Sequence, residues 1–259
     1  MPTCVFKDIE LFYEDIGVGE PILFLHSHFN RGILAFACQM QAFNKQYRCI
    51  LPDFRGHGRT RCDSLVWDAG MILEDMTVFL DALGLQRVHV VGYSAGGGIG
   101  FHMAVQYPQY VASLTSIGCD GFPFAENAYN FLPENLIKNQ QYDVIEQMKN
   151  KHFEAHRGNW QEFMRQSVYD NDIYPNLSRE NLRSIAAPVF IIVGENDTLI
   201  NKEELEEAKT LIPHCQVLIT PNGQHSTHML GEHTLEINRR ISDFLHDNAI
   251  SRKQVMPPV

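Results

Sequence analysis

The sequence of 259 residues lacks the features that mark several specialised protein classes. Its six cysteines lie far apart and form no C-x-x-C pair, so neither a disulfide scaffold nor a cysteine zinc site is indicated. No apolar run approaches the roughly 20 residues that span a bilayer. The 21 basic residues are outnumbered by 31 acidic ones, and the net charge of −10 argues against nucleic acid or a membrane as partner.

The start of the chain also lacks the basic residues and the long apolar stretch of a signal peptide. We therefore expect a cytoplasmic protein that acts on a small-molecule partner as a monomer or homodimer. Hydrophobic residues make up 44% of the chain, which is enough for a packed core and excludes a disordered chain.

Continuous apolar runs alternate with helical patterns along most of the chain. An opening hairpin arm at 11–15 is followed by apolar runs at 21–26, 47–53, 88–93, 111–118, 188–194 and 216–220. Such runs are typical of strands that are buried on both faces. Between them, apolar residues such as Ile72, Met76 and Phe79 recur at helix spacing. This alternation predicts an α/β fold with a mainly parallel sheet that is covered by helices.

The segment between about 120 and 180 interrupts this alternation. It contains no apolar strand run, and its aromatic residues are about twice as frequent as the 10% of the whole chain. Connections in such folds usually span only about 2–6 residues. We therefore predict a core at 1–119 and 180–259 and an inserted helical cap at 120–179. The alternative is a set of ordinary helices packed on the sheet.

The most specific local pattern is Gly92-Tyr93-Ser94-Ala95-Gly96, which stands between an apolar strand and a helical pattern. A serine on a tight strand-to-helix turn is pushed out of the sheet by strained backbone angles, and flanking glycines remove side chains that would collide. The pattern predicts Ser94 as a nucleophile. The alternative is a serine in an ordinary glycine-rich turn.

A serine nucleophile needs a base and an acid that orients the base. Asp197 follows one C-terminal apolar run, and His225 follows the last one. Because the ends of parallel strands share one edge of a sheet, these distant residues can converge on Ser94. The order serine, aspartate, histidine is also the order that this motif class predicts. Asp120 is an alternative acid, and His228 is an alternative base.

The segment after the first buried strand, His26-Ser27-His28-Phe29, is expected to face the same edge. We predict that the backbone N–H groups of His28 and Ala95 form an oxyanion hole. A zinc site is a weaker interpretation of four neighbouring histidines, because no carboxylate pattern completes a ligand set; these histidines are His26, His28, His225 and His228.

The segment Asp53-Phe-Arg55-Gly-His57-Gly58 resembles a catalytic motif in composition. We interpret it as structural instead, with glycines that form a turn. Asp53 and Arg55 are then expected to pair with each other or to satisfy backbone groups.

Taken together, these motifs resemble the α/β-hydrolase superfamily over nearly the whole chain. The resemblance implies an eight-stranded, mostly parallel sheet with a cap inserted after strand six. It also implies that Ser94 is the nucleophile, His225 the base and Asp197 the acid, with no cofactor or metal. The family usually has glycine where this chain has Ser27, which affects the predicted oxyanion hole.

The resemblance favours a serine hydrolase of a carboxylic ester or lactone, acting on a small to medium acyl or aryl substrate through an acyl-enzyme. Dehalogenases and epoxide hydrolases of this fold have aspartate at the nucleophile position. The alternatives are a haloperoxidase-like perhydrolase, a C–C bond hydrolase and a non-catalytic binder of a small ligand. We expect Phe29, Tyr93, Phe122 and Trp160 to contact the substrate.

Overall fold

The computed structural model describes residues 2–229, 231 and 233–250. Its strands are β1 (Thr3–Phe6), β2 (Ile9–Ile16), β3 (Glu20–Leu25), β4 (Tyr47–Pro52), β5 (Arg61–Cys62), β6 (Val88–Tyr93), β7 (Val111–Ile117), β8 (Val189–Gly194) and β9 (Cys215–Thr220). Every apolar run of the sequence coincides with one of the longer strands. The alternation of strands and helices is therefore the predicted one.

The helices are α1 (Gly32–Phe43), α2 (Ala69–Ala82), α3 (Ala95–Gln106), α4 (Pro133–Lys138), α5 (Tyr142–Lys151), α6 (Phe153–His156), α7 (Trp160–Ile173), α8 (Arg179–Ser184), α9 (Lys202–Leu211) and α10 (Thr234–Asp247). Short 3-10 turns lie at Pro108–Tyr110 and Tyr129–Phe131. Within the described part of the chain, none of the helices has both the length and the apolar content needed to cross a bilayer.

All strands belong to one sheet in the order β1-β2-β4-β3-β6-β7-β8-β9, and β5 pairs with β2 outside this path. The pairs that involve β1, β2 or β5 are antiparallel. The remaining neighbours, in the spatial order β4-β3-β6-β7-β8-β9, are parallel. The mostly parallel α/β class is confirmed. The strand beyond the predicted eight is β5, which is only two residues long and carries no apolar run.

Helices cover both faces of this sheet. One core cluster joins the sheet to α2, α3, α8 and α9, and a second joins it to α1 and α10. Successive residues of β3 show why: Leu23 and Leu25 belong to the first cluster, whereas Ile22 and Phe24 belong to the second. Because both faces are buried, the strands are apolar throughout instead of alternating with polar residues.

Helices α4 to α7 lie within residues 120–179, which we call the helical segment. Six of its side chains form a hydrophobic cluster apart from the two core clusters: Leu136, Ile145, Met148, Trp160, Phe163 and Met164. Near its two ends, the N–H of Leu177 donates to the carbonyl of Gly121 at 3.4 Å. The division into a core and a cap domain stays a prediction.

The Asp53–Gly58 turn is held by ion pairs and backbone contacts, but its two charged residues have separate partners. Asp53 accepts from the N–H of Gly32 at 2.8 Å and from Arg59 Nε at 2.8 Å. Arg55 pairs with Asp75 and Asp8, each at 2.7 Å. Both oxygens of Asp53 are thus occupied by groups other than the Arg55 guanidinium.

Candidate active site

Ser94 occupies the junction between the last residue of β6 and the first residue of α3. Its backbone angles, φ 53° and ψ −120°, lie in a region that residues with a side chain rarely adopt. The N–H of Ser94 donates to the carbonyl of Ile117 at 2.8 Å, which ties the turn to β7. A Cβ atom on Gly96 would collide with the carbonyl oxygen of Leu25. The tight turn that the sequence predicts around Ser94 is therefore present, and the neighbouring chain leaves room only for glycine there.

His225 and Asp197 lie together at the same edge of the sheet, in the loops after β9 and β8. The Nδ1 atom of His225 is 2.8 Å from Oδ2 of Asp197, a hydrogen bond in which Nδ1–H donates to the carboxylate. The Asp197 side chain is fully buried, and its other oxygen accepts from the N–H of Leu199 at 3.0 Å. The imidazole remains partly exposed on the side of a cavity that Ser94 also lines. This arrangement leaves Nε2 of His225 available to exchange a proton with a group in the cavity.

The two rival residues have other surroundings. Asp120 is buried and accepts from the N–H of Phe122 at 3.0 Å, and burial raises the pKa of its carboxyl to about 7. His228 is fully buried, with Nε2 at 3.1 Å from the carbonyl of Ala35, and burial lowers its pKa to about 3. The geometry therefore favours Asp197 as the partner of the histidine and His225 as the histidine at the cavity.

The two predicted oxyanion donors lie in the segments that follow β6 and β3. Ala95 is the first residue of α3, so its N–H has no acceptor within that helix. His28 lies in the loop after β3 and lines the cavity. Within the described chain, neither N–H donates a hydrogen bond to another protein group. Neither N–H is therefore committed to a protein acceptor.

The cavity has a volume of about 360 Å³ and combines apolar with polar walls. Its lining consists of Ser27, His28, Phe29, Tyr93, Ser94, Glu126, Asn127, Ala128, Asn130, Phe131, Asn171, Leu199 and His225. Two of the predicted substrate contacts, Phe29 and Tyr93, belong to this lining. Phe29 also stacks on Phe131 with ring centroids 4.8 Å apart.

The other two predicted substrate contacts lie elsewhere. Phe122 is buried in the first core cluster, close to the guanidinium of Arg179. Trp160 is buried in the hydrophobic cluster of the helical segment. Neither residue lines the cavity, because both are used to pack helices, so we no longer assign them to substrate binding.

Sequence reasoning missed several residues of the cavity wall. Leu199 lies two positions after Asp197, and that proximity was the one available signal. The remaining residues come from the helical segment, where no motif marked them: Glu126, Asn127, Ala128, Asn130, Phe131 and Asn171.

Each of the four histidines considered as zinc ligands has a different hydrogen-bond partner. His26 accepts from the N–H of Phe54 at 2.9 Å, and burial lowers its pKa to about 3. His28 Nε2 lies 2.9 Å from Asp170 Oδ2, and the partners of the other two are given above. Among the described residues, no group of three or more metal-ligating side chains is gathered.

Comparisons with known proteins agree with this architecture. The sequence profile of the family described as alpha/beta hydrolase fold matches residues 20–172, which is more than half of the chain. The RutD protein of Azorhizobium caulinodans, named for carbamate hydrolysis, is 35% identical over 126 residues. That match spans 47% of this chain and 47% of the relative, so it covers only about half of either protein.

Two further proteins match over nearly the full length. The non-heme chloroperoxidase CPO-A1 of Kitasatospora aureofaciens is 25% identical, with 95% of this chain and all of the relative covered. The structure of a meta-cleavage product hydrolase variant from Pseudomonas fluorescens superimposes with a TM-score of 0.77 at 21% identity, covering 93% of this chain and 96% of that one. The chain therefore belongs to the α/β-hydrolase fold family and is a hydrolase of that fold.

Proposed function

We propose that the protein is a serine hydrolase that cleaves a carboxylic ester or lactone through an acyl-enzyme. The observation that carries this proposal is the strained turn at Ser94 facing a cavity that the His225–Asp197 pair also reaches. In this proposal Ser94 is the nucleophile, His225 the general base and Asp197 the residue that orients the base.

The reaction proceeds in two halves. His225 accepts the proton of Ser94 as Oγ attacks the substrate carbonyl, and the N–H groups of Ala95 and His28 stabilise the oxyanion. His225 then donates that proton to the departing alcohol. A water molecule attacks the acyl-enzyme in the same manner and releases the acid. The Asp197 carboxylate holds the imidazole in the required tautomer and stabilises its charged form.

The cavity sets the size and character of the proposed substrate. A volume of about 360 Å³ suits an acyl or aryl group of modest size and is small for a long lipid chain. Phe29, Phe131 and Leu199 contribute apolar side chains to the lining, whereas Glu126 and Asn130 contribute hydrogen-bonding groups. We therefore propose a short acyl or aryl ester or lactone that also carries a polar group.

Perhydrolysis is the second candidate activity, because the full-length similarity to CPO-A1 points to it. It uses the same serine and would appear as peroxide-dependent bromination that disappears in Ser94→Ala. Hydrolysis of a C–C bond is a further alternative. Saturable binding without turnover would instead identify a non-catalytic binder.

The first experiment compares wild type with Ser94→Ala on p-nitrophenyl acetate, butyrate and octanoate, and labels both proteins with a fluorophosphonate. We expect the substitution to abolish labelling and to lower kcat by about six orders of magnitude, since it removes the nucleophile. We also expect the acetate and butyrate to be cleaved faster than the octanoate.

Ser184→Ala is the matched control, because Ser184 is an exposed residue of α8 remote from the cavity lining. It should label and hydrolyse like wild type. A wild-type protein that labels at Ser94 but cleaves none of the esters would redirect the search to lactones or C–C bonds. Absence of labelling at Ser94 would contradict the proposed nucleophile.

A further inference from the structure

The loop after β3, Ser27–Asn30, is held by side chains from the helical segment. The Nε2–H of His28 donates to Asp170 Oδ2 on α7 at 2.9 Å. Lys151 Nζ on α5 donates to the carbonyl of Phe29 at 2.8 Å. The first contact holds the side chain of His28, and the second holds the carbonyl of Phe29, which belongs to the peptide unit between Phe29 and Asn30. The shape of this loop thus depends on residues more than 120 positions further along the chain.

Asp170 is itself fixed between two donors. It is 3% exposed, and its Oδ1 accepts from the N–H of Ala69 at 2.7 Å, while Oδ2 accepts from His28. Ala69 is the first residue of α2, where free N–H groups and the helix dipole favour a carboxylate. A buried carboxylate with both oxygens occupied has little freedom to move. It therefore provides a rigid anchor for the imidazole of His28.

The loop needs such an anchor because its backbone is strained. Phe29 has φ 59°, a left-handed conformation that bulky residues rarely adopt. Such conformations persist where surrounding contacts enforce them. No glycine lies between His26 and Asn30 to relax the turn. Besides the loop's own hydrogen bond from the Asn30 N–H to the Ser27 carbonyl, at 3.2 Å, the contacts from Asp170 and Lys151 hold this conformation.

We propose that Asp170 is a positioning residue, which through the His28 side chain directs the His28 N–H at the Ser94 cavity. The inference rests on the proposed function, in which that N–H stabilises the oxyanion. It assigns to the helical segment a part in the reaction besides covering the cavity. Lys151 assists by holding the same loop at the Phe29 carbonyl, one residue after His28.

The test is Asp170→Asn, which keeps an acceptor for the Ala69 N–H but replaces the anionic acceptor of His28 with an amide. Loss of one oxyanion donor typically lowers kcat by about 100-fold or more, so a misdirected donor should lower kcat by about 10- to 100-fold. We expect KM to change less than about threefold, because the donor acts on the transition state. The affinity for a trifluoromethyl ketone inhibitor, which forms an oxyanion on Ser94, should fall in parallel with kcat.

Asp75→Asn is the matched control for removing a buried, paired carboxylate. Asp75 is 1% exposed and pairs with Arg55, and it does not line the cavity. Measured at a temperature where both variants are folded, this control should retain wild-type kcat and inhibitor affinity. Equal losses in the two variants would mean a general structural effect and would overturn the inference.

Lys151→Met keeps the proposal testable if Asp170→Asn does not fold. We expect a kcat loss of about 3- to 10-fold with unchanged KM, because one of two contacts on the loop is removed. Lys149→Met on the same helix is its control, since Lys149 contacts Glu146 and not the loop. Wild-type kcat and inhibitor affinity in both Asp170→Asn and Lys151→Met would overturn the inference while leaving the proposed function intact. Failure of wild-type Ser94 to label would overturn the proposed function itself.

Discussion

At the residue scale, the histidines of this chain differ in what their ring nitrogens contact. His26 and His228 are fully buried, and burial lowers the pKa of each to about 3, so both stay neutral in ordinary buffers. His225 instead has one nitrogen on the Asp197 carboxylate and its ring at the cavity. This difference in environment selects His225 as the proposed base.

The choice between the two candidate acids can be tested by substitution. Asp197→Asn should lower kcat by about 10⁴-fold, because an amide cannot hold His225 in the tautomer that accepts the serine proton. Asp120→Asn should change kcat less than about threefold, since Asp120 has no hydrogen bond to His225 in the described chain. Initial rates on p-nitrophenyl butyrate measure both effects. The reverse order of losses would make Asp120 the acid.

The raised pKa of Asp120 should make the stability of the fold depend on pH. Burial raises its pKa from 3.8 to about 7, so the folded state binds the proton more tightly than the unfolded chain between these values. The stability of wild type therefore falls as pH rises through this window. Asp120→Asn keeps an acceptor for the Phe122 N–H but cannot ionise, so its Tm relative to wild type should be higher at about pH 8 than at about pH 5. Thermal melts at both pH values test this; a constant Tm difference would contradict it.

The position of a single residue could be predicted from the sequence where that residue directly follows a predicted strand. Ser94, Asp197 and His225 each follow an apolar strand, so their common edge of the sheet followed from the order of the elements. Phe122 and Trp160 carry no such marker, and their positions depend on how helices pack. The contact between His28 and Asp170 joins residues 142 positions apart, and no local pattern reports it.

At the scale of elements, the two halves of α7, a helix of 14 residues, lie in different surroundings. Its first half contributes Trp160, Phe163 and Met164 to the cluster of the helical segment. Its second half contributes Asp170 to the loop after β3 and Asn171 to the cavity wall. Packing at one end of the helix therefore determines the position of polar groups at the other end.

Phe163→Ala tests the packing of the first half of α7. Phe163 is fully buried, so its truncation should lower the free energy of unfolding by about 3–5 kcal/mol through lost burial and a cavity. Tyr169→Ala on the same helix is the control, because Tyr169 is 52% exposed and its truncation should cost less than about 0.5 kcal/mol. Urea titration measures both. Similar losses for the two variants would show that the segment is not packed as described.

The elements themselves were easier to predict than their contacts. Every strand of four residues or more after the opening hairpin coincides with an apolar run, because burial on both faces leaves a continuous signal. β5 was not predicted, because a strand of two residues is too short to show a periodic pattern. The polar residues of the cavity wall were not predicted. They lie in turns and helix ends of the helical segment, where the spacing of residues does not show which side chains face Ser94.

At the scale of the whole molecule, the net charge of −10 makes the protein attractive to cations at a distance. Glu126, which is exposed, adds a carboxylate at the cavity wall. A cationic ester should therefore encounter the cavity faster at low ionic strength than a neutral ester of the same size.

The salt dependence of two esters measures this effect. Between about 10 and 300 mM NaCl, kcat/KM for acetylthiocholine should fall about two- to fivefold as the field is screened. The value for the neutral p-nitrophenyl acetate should stay nearly constant. Glu126→Gln should weaken the salt dependence of the cationic ester. Equal salt responses for the two esters would exclude long-range attraction as a contribution.

The hydrogen bond from Leu177 to Gly121 has a consequence for how such a protein can be altered. Two points near the ends of the helical segment are thus joined by one backbone hydrogen bond. The entropic cost of closing a loop grows only slowly with its length, by about 0.6 kcal/mol for each doubling. Residues 122–176 can therefore differ in length at small entropic cost, provided that a replacement keeps the contacts that Asp170 and Lys151 make with the loop after β3. New substrate preferences can arise by replacing this one stretch of the gene while the strand ends that carry Ser94, Asp197 and His225 remain as they are.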